Sequence, residues 1–371
     1  MSRILFLVSS MQGGGAERVA ALLCNQWVQQ GHAVTLMPTF SGRGDCLYPL
    51  DERVKLDYLA DRVGSTRRSV LNKIKRLFAL RRAMREISPD VVVSFLPPVN
   101  VAAILSAAGL EIPVIVSERT YPPAMPLGTV MEQARKWLYP HARTVVVQTQ
   151  QASGWLAATC PSANGMVIPN PVVWPLPVGE PEVMPVQIVA KSRKLLLAVG
   201  RLGEEKEFHH LLSAFKLCAE IRPDWDLVIL GEGNERAGLE ALRSELGLDG
   251  RVHLPGRVGN LADWYERADL YVMSSRFEGF PNTLLEAMAH GLPVVSFDCD
   301  SGPRYIIRHD TDGLLVAPES GIKGLAASLS WLMDDKERRE AMGQRAVDVR
   351  ERFSMARVSA LWTAVLGLDC S

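Results

Sequence analysis

The sequence predicts an α/β protein of two parallel-sheet domains facing across a cleft. Short apolar runs alternate with helical patterns along the first part of the chain, a proline-rich stretch interrupts them, and a second such series follows. Helices between continuous apolar strands cover both faces of a parallel sheet. At 371 residues the chain is also too long for one ordinary core.

The first strand is expected over residues 4–8, and a helix over 17–30, where Val19, Leu22, Leu23 and Trp27 share a face. Strands follow at 33–38, 54–59, 91–95, 114–117, 144–148 and 166–168, with a helix at 99–108. Pro169, Pro171, Pro175, Pro177, Pro181 and Pro185 mark residues 169–191 as a linker. The second series has strands at 195–199, 227–230, 252–254, 270–273 and 294–297. Its helices are expected at 209–218, 234–246, 261–267, 284–290, 321–333 and 335–349. The implied domains are residues 1–175 and 176–350, followed by a terminal segment, 351–371, that carries a last helix at 353–366.

Zero net charge argues against a general nucleic-acid binder. Six cysteines, with no C-x-x-C pair and no metal-ligand spacing, suggest neither a disulfide framework nor a zinc site, and a reducing cytoplasm fits best. The opening apolar run is short and leads into a glycine-rich turn, which reads as a buried strand rather than a signal peptide. No apolar stretch reaches the ~18 residues of a membrane span.

The most informative line is Ser275-Arg276-Phe277-Glu278-Gly279-Phe280-Pro281-Asn282-Thr283-Leu284-Leu285-Glu286. It joins an expected strand end to an expected helix start, where open α/β sheets bind ligands and where free N–H groups attract anions. Two carboxylates there suit the hydroxyls of a sugar; a capped helix with solvated acids is the plain alternative. Val199-Gly200-Arg201-Leu202, with Lys206 close behind, places two cations at another strand end. They suit a diphosphate, although Glu204, Glu205 and Glu207 allow a salt-bridged surface turn as well. Gly231-Glu232-Gly233 and Pro255-Gly256-Arg257-Val258 leave room for a base and a ribose, or are ordinary turns.

In the first half, Gln12-Gly13-Gly14-Gly15-Ala16-Glu17-Arg18 opens the first helix. It lacks the spacing of a dinucleotide fingerprint and the ending of a P-loop, so it is either a tight turn or a loop against a ligand. Ser117-Glu118-Arg119 and Asn170 lie at strand ends. His141, His209, His253, His290 and His309 show no triad or H-E-x-x-H spacing. Over residues 66–86, Val70, Ile74, Leu77, Phe78 and Met84 recur at helical spacing among Arg67, Arg68, Lys73, Lys75, Arg76, Arg81, Arg82 and Arg85. A basic amphipathic helix reads as a membrane-surface element, with a core-packed helix as the alternative.

Together these motifs resemble the GT-B glycosyltransferases of the large retaining family 4, two Rossmann-like domains facing across a cleft, over essentially the whole chain. Glu278 to Glu286 matches the family's paired glutamates, and the Gly13–Arg18, Val199–Lys206 and Asp312-Gly313-Leu314-Leu315-Val316 stretches match in order and spacing. The subgroup most resembled adds N-acetylgalactosamine to undecaprenyl-diphosphate-linked oligosaccharides; Val93-Ser94-Phe95-Leu96, Asn100-Val101-Ala102 and the basic helix look like it. Capsule, exopolysaccharide and lipopolysaccharide transferases, and non-catalytic scaffolds of the same fold, are the alternatives.

The resemblance implies a first domain that binds the acceptor and a second that binds a UDP-sugar. Arg201 and Lys206 neutralise the donor diphosphate, Glu278 meets the donor sugar, and Gly279, Phe280, Pro281, Asn282 and Thr283 line sugar and phosphates. Glu286 holds the ribose, Gly231 and Val258 border the nucleotide, and Gly14 and Gly15 lie under donor and acceptor. Many relatives carry a histidine where Glu118 stands, so Glu118 is expected to orient the acceptor hydroxyl or the donor sugar. No cofactor and no divalent metal is expected. The last helix crosses back to the first domain, and the basic helix docks the enzyme on the inner face of the plasma membrane.

Overall fold

The computed structural model describes residues 1–41, 46–64 and 70–367, the side chains of 70 and 71 excepted. It divides into one unit that runs to Pro171 and resumes at Ala356, and a second unit, Val172–Met355. The division thus falls at 171 rather than 175, and the resumed segment begins at 356 rather than 351. The Val172 N–H donates to the Phe353 carbonyl at 2.8 Å, which ties both ends of the second unit into it.

The first unit contains β1 (Arg3–Val8), α1 (Gly15–Gln29), β2 (Ala33–Pro38), β3 (Lys55–Leu56), α2 (Leu59–Val63), α3 (Val70–Ile87) and β4 (Val91–Phe95). It continues with α4 (Pro97–Ala107), β5 (Val114–Ser117), α5 (Thr129–Leu138), β6 (Thr144–Val147), α6 (Gln150–Thr159) and β7 (Gly165–Val167). The strands form one parallel sheet in the order β3-β2-β1-β4-β5-β6-β7. Alternation along β1 sends Leu5 and Leu7 to the face under α3 and α4, and Phe6 to the opposite face against Trp27 and Phe95. The strand expected at 54–59 shrinks to two residues, Lys55 and Leu56, paired with Thr35 and Leu36. Helices α5 and α6 were not expected. Their fully buried residues are Arg135 on α5 and Ala152 and Leu156 on α6.

Helix α3 departs from its expected amphipathicity. Arg67 and Arg68 lie outside the described residues, as does the side chain of Val70. Over the remainder, the buried face consists of Arg76, Leu80, Ala83 and Met84. The Arg76 guanidinium donates to the Thr39 carbonyl and lies over the Phe40 ring. Arg81 donates to the carbonyls of Ser106 and Ala108 at the end of α4, at 3.0 and 2.6 Å. Ile74 and Phe78, expected on the apolar stripe, are 48% and 71% exposed. They share the outer surface with Lys73, Lys75, Arg82 and Arg85.

The second unit contains α7 (Pro185–Ile188), β8 (Lys194–Val199), α8 (Phe208–Ala219), β9 (Trp225–Leu230), α9 (Arg236–Glu245), β10 (Val252–Gly256), α10 (Leu261–Arg267) and β11 (Leu270–Met273). Then come α11 (Asn282–Ala289), β12 (Val294–Phe297), α12 (Pro303–Ile306), β13 (Gly313–Val316), α13 (Gly321–Asp334), α14 (Lys336–Ala346) and α15 (Val349–Arg352). Its parallel sheet has the order β10-β9-β8-β11-β12-β13. Leu196 and Ala198 enter the core on one face, and Leu195 and Leu197 the core on the other. The helix expected at 335–349 is broken between α14 and α15.

Helix α16 (Met355–Leu366) packs into the first unit. Trp362 is fully buried there, with its ring 6.2 Å from Trp27 and 5.8 Å from Phe95 between centroids.

Candidate functional site

In the second unit the strand order reverses between β8 and β11, and the segments leaving these strands carry the predicted charged residues. Such a switch point is where open parallel sheets receive ligands. The two segments are stitched together. Ser274 Oγ donates to the Lys206 carbonyl at 2.7 Å, and the Arg276 N–H donates to the Glu205 carbonyl at 2.9 Å. Lys206 Nζ thereby comes within 2.5 Å of Glu278 Oε1, and Ser275 Oγ donates to the same oxygen at 2.6 Å. Both partners of the pair are largely covered, at 18% and 12% side-chain exposure.

Arg201 is not part of that cluster. Its side chain is 72% exposed and pairs with Glu205 at 2.6 Å. Partial burial raises the Glu205 carboxyl, but the hydrogen bond from Arg201, a backbone N–H and the charges of Arg201 and Lys206 together outweigh it and hold that group below the usual range. The two cations expected on one diphosphate therefore stand on separate carboxylates.

Around Glu278 the chain turns into α11. Gly279 offers its carbonyl to Ser301 Oγ at 3.3 Å, and Phe280 is buried with its ring 5.3 Å from Phe353. Pro281 precedes the first turn, Asn282 begins it, and Thr283 Oγ1 accepts the Tyr271 hydroxyl at 2.9 Å. Glu286 lies on the covered side of α11, 2% exposed, and accepts the Tyr265 hydroxyl at 3.2 Å. Gly302, at φ 84°, lies against this turn: a Cβ there would come within 3.2 Å of Glu278 Cβ, Pro281 Cδ and the Gly279 carbonyl oxygen. Only the Ser301-Gly302-Pro303 string hinted at that support in the sequence.

Gly231 is a glycine for packing reasons. A Cβ there would stand 1.9 Å from the Gly200 carbonyl oxygen, because the ends of β8 and β9 touch. Val258 is 7% exposed within an apolar cluster that includes Leu230, Met273 and Phe280, so its side chain serves the core.

In the first unit, the glycine loop is held by its own neighbours. Glu17 accepts the Gly13 N–H at 2.7 Å and the Ser10 hydroxyl. The Gly14 N–H donates to Tyr48 Oη at 3.1 Å, and that hydroxyl donates back to the Gly14 carbonyl at 3.0 Å. Gly14 and Gly15 are exposed. A Cβ on Gly14 would meet nothing nearer than Glu17 Oε2 at 3.6 Å, and its φ of 176° is ordinary extended backbone. Gly14→Ala is therefore expected to leave the melting temperature within about 1 °C of wild type, as an unstrained surface change does. If a substrate approaches this Cα, the same variant loses about tenfold or more in kcat/KM, the usual effect of a misplaced methyl.

Glu118 does not face outward. Successive residues of a strand point to opposite faces, and Glu118 points to the helix side, where Arg135 Nε lies at 3.0 Å and the Tyr139 hydroxyl donates at 2.5 Å. Burial pushes its carboxyl above the ordinary range, with Arg135 and Tyr139 pulling it back. In this geometry it braces the core instead of reaching a substrate hydroxyl. Among the described residues no group of three or more His, Cys, Asp or Glu is placed to hold a metal ion.

The family description Glycosyltransferase Family 4 matches residues 13–173, and Glycosyl transferases group 1 matches residues 180–349. The chain is 26% identical over 368 residues to a Campylobacter jejuni protein, covering 99% of this chain and 98% of that one. That relative is the alpha-1,4-N-acetyl-D-galactosaminyltransferase named for GalNAc-alpha-(1->4)-GalNAc-alpha-(1->3)-diNAcBac-PP-undecaprenol. The chain is also 25% identical over 368 residues to the amylovoran biosynthesis glycosyltransferase AmsD of Erwinia amylovora, covering 99% of this chain and 100% of that one. Among solved structures, sucrose-phosphate synthase of Thermosynechococcus elongatus shares the GT-B fold, with a TM-score of 0.84 at 17% identity over 98% of both chains. The two family descriptions between them span nearly the whole chain, and the chain belongs to the glycosyltransferases that pair a Family 4 domain with a group 1 domain.

Proposed function

We propose that this glycosyltransferase moves a sugar, N-acetylgalactosamine as the first choice, from a UDP-sugar to an undecaprenyl-diphosphate-linked saccharide with retention of anomeric configuration. The observation that carries the reading is the Lys206–Glu278 pair at the switch point of the second sheet. It sets a group suited to phosphate beside a group suited to sugar hydroxyls. The name of the Campylobacter relative supports the donor and the acceptor class.

On this reading the donor diphosphate takes Lys206 Nζ and draws Arg201 from its exposed pair with Glu205, while α11 offers N–H groups at its start. Glu278 is released to the sugar hydroxyls and Glu286 to the ribose. The bond from the anomeric carbon to the diphosphate breaks, the acceptor oxygen bonds to that carbon on the same face, and the acceptor proton passes to the departing phosphate. Cationic side chains and backbone N–H groups stabilise the leaving charge, so no divalent ion is required. Glu278 and Glu286 both serve the donor and are not a hydrolase-style pair flanking the bond.

The deciding experiment is a UDP-sugar screen against an undecaprenyl-diphosphate disaccharide in excess EDTA, with the product linkage read by NMR. Transfer of N-acetylgalactosamine with retained configuration is expected. Transfer of another sugar favours the exopolysaccharide reading, which the amylovoran relative supports. No transfer from any donor points to a scaffold, although Arg201, Lys206 and Glu278 are all present. Rescue by magnesium alone overturns metal independence.

The acceptor lipid places the enzyme at the inner face of the plasma membrane. No helix among the described residues is long and apolar enough to cross a bilayer. The outer face of α3 supports surface docking, because Ile74 and Phe78 stand exposed among four basic residues. Replacing Lys73, Lys75, Arg82 and Arg85 by glutamine is expected to weaken sedimentation with vesicles of 30% anionic lipid at least tenfold. Unchanged sedimentation removes this helix from the membrane contact.

A further inference from the structure

Arg119, a buried arginine of the first unit, pairs with no carboxylate among the described residues. Arg119 follows β5 on the face opposite to Glu118 and is 7% exposed. Its guanidinium lies 4.2 Å from the Phe95 ring centroid. It donates to Asn170 Oδ1 and makes a long 3.5 Å contact with Ser117 Oγ. Its Nε is buried with no hydrogen-bond partner. Gln148, at the end of β6, donates to the same Asn170 oxygen at 2.8 Å and has its own Oε1 buried without a donor. Among the described residues no carboxylate pairs with Arg119, and burial alone pushes its guanidinium down to about 9.

A buried arginine normally finds a carboxylate, since an uncompensated charge in a covered site is strongly unfavourable. Here the nearest acid in the chain, Glu118, is turned away and engaged with Arg135. Three residues at adjacent strand ends thus hold a planar five-donor fork with most of its donors unused. The fork lies along the carboxyl edge of the sheet, where parallel α/β units bind ligands, and it matches phosphate oxygens in shape and charge.

We propose that Arg119, positioned by Asn170 and Gln148 and backed by Phe95, is a phosphate-binding group of the first unit. It lies on that unit, whereas Arg201 and Lys206 lie on the second. The inference rests on the proposed function for its source of phosphate: the diphosphate of the acceptor lipid or that of the donor nucleotide.

The test uses the full chain, with Arg119→Gln, Arg119→Lys and wild type compared by calorimetry. One arm titrates UDP. The other titrates inorganic pyrophosphate into protein saturated with UDP. A loss of at least tenfold in Arg119→Gln, partly restored in Arg119→Lys, is expected in one arm: the pyrophosphate arm for the acceptor source, the UDP arm for the donor source. Affinities within twofold of wild type in both arms overturn the proposal, and so does a lowered melting temperature with both affinities intact. Wild-type protein labelled at arginine Nε gives a readout that survives poor folding of the variants. The Nε–H signal missing from Arg119→Lys is expected to shift when the weakened probe is added, and a signal that stays fixed also overturns the idea. Wild-type protein that binds no UDP would instead sink the proposed function, and the pyrophosphate arm would still decide Arg119.

Discussion

Lys206→Met is expected to lower UDP affinity about 10- to 100-fold, the range for losing a hydrogen bond to a charged group. On the proposed reading, in which Lys206 holds the donor diphosphate, turnover is expected to fall about 100- to 1,000-fold, since such a contact strengthens as the diphosphate departs. The geometry adds a complication that the experiment exploits. Lys206 Nζ stands 2.5 Å from Glu278 Oε1, so its removal also strips a largely covered carboxylate of its cation. Glu278→Gln separates the two effects. It keeps the shape of the turn and frees Lys206, so UDP affinity is expected to hold or rise while sugar transfer collapses. In the double variant, Lys206→Met with Glu278→Gln, UDP binding should stay as weak as in Lys206→Met. Recovery to wild-type affinity would show that the lysine only neutralises the glutamate, and the calorimetric cycle measures this directly.

The largest stability effect is expected at Arg135→Met. Arg135 and Glu118 have side-chain exposures of 1% and 0%. Removing the cation leaves a buried carboxylate with the Tyr139 hydroxyl but no charge partner, which costs roughly 3–5 kcal/mol. At about 2–4 °C per kcal/mol for a domain of this size, the melting temperature should drop by roughly 10 °C. Methionine keeps apolar volume against Trp155, over which the guanidinium now lies at 5.2 Å, so packing loss is small. The sign of the pH effect follows from the carboxyl itself. Burial already holds Glu118 above the ordinary range, and losing Arg135 raises it further. A raised folded-state value stabilises below the unfolded value and loses that contribution as pH rises through the folded one. The deficit of Arg135→Met relative to wild type should therefore be full at neutral pH and shrink as the pH falls toward about 4. Melting curves across that range check it, and Glu118→Gln in the same background should restore much of the loss.

The architecture was legible because its strands are continuous apolar runs. Residues 33–38, 91–95, 114–117 and 270–273 coincide with β2, β4, β5 and β11. Of the candidate site, the placement of its segments was legible: cations and carboxylates that follow the ends of parallel strands lie along one sheet edge. Partner choice was not legible. Arg201 pairs with Glu205, four residues away, while Lys206 reaches Glu278 across 72 residues. Both cations carry the same local signal, and only the stitched backbone of the two loops decides between them. Glu118 was misplaced for a related reason. Its partner Arg135 lies on α5, a helix that was not expected and whose fully buried residue is that arginine. The same blindness affected α3, where two arginines turn inward to carbonyls and two large hydrophobes turn out.

Trp362 on α16 bears on how the protein is made. Its ring completes an aromatic layer with Trp27 and Phe95, elements translated long before it. The whole of Val172–Met355 is synthesised between them. At ordinary elongation rates that interval is roughly 10 seconds or more. Throughout it the nascent first unit shows an unfilled indole-sized gap, while the second unit can close on its own as it emerges. The later-made unit is thus the first to be whole, and a ribosome that stalls after Met355 leaves the early unit as the unfinished one.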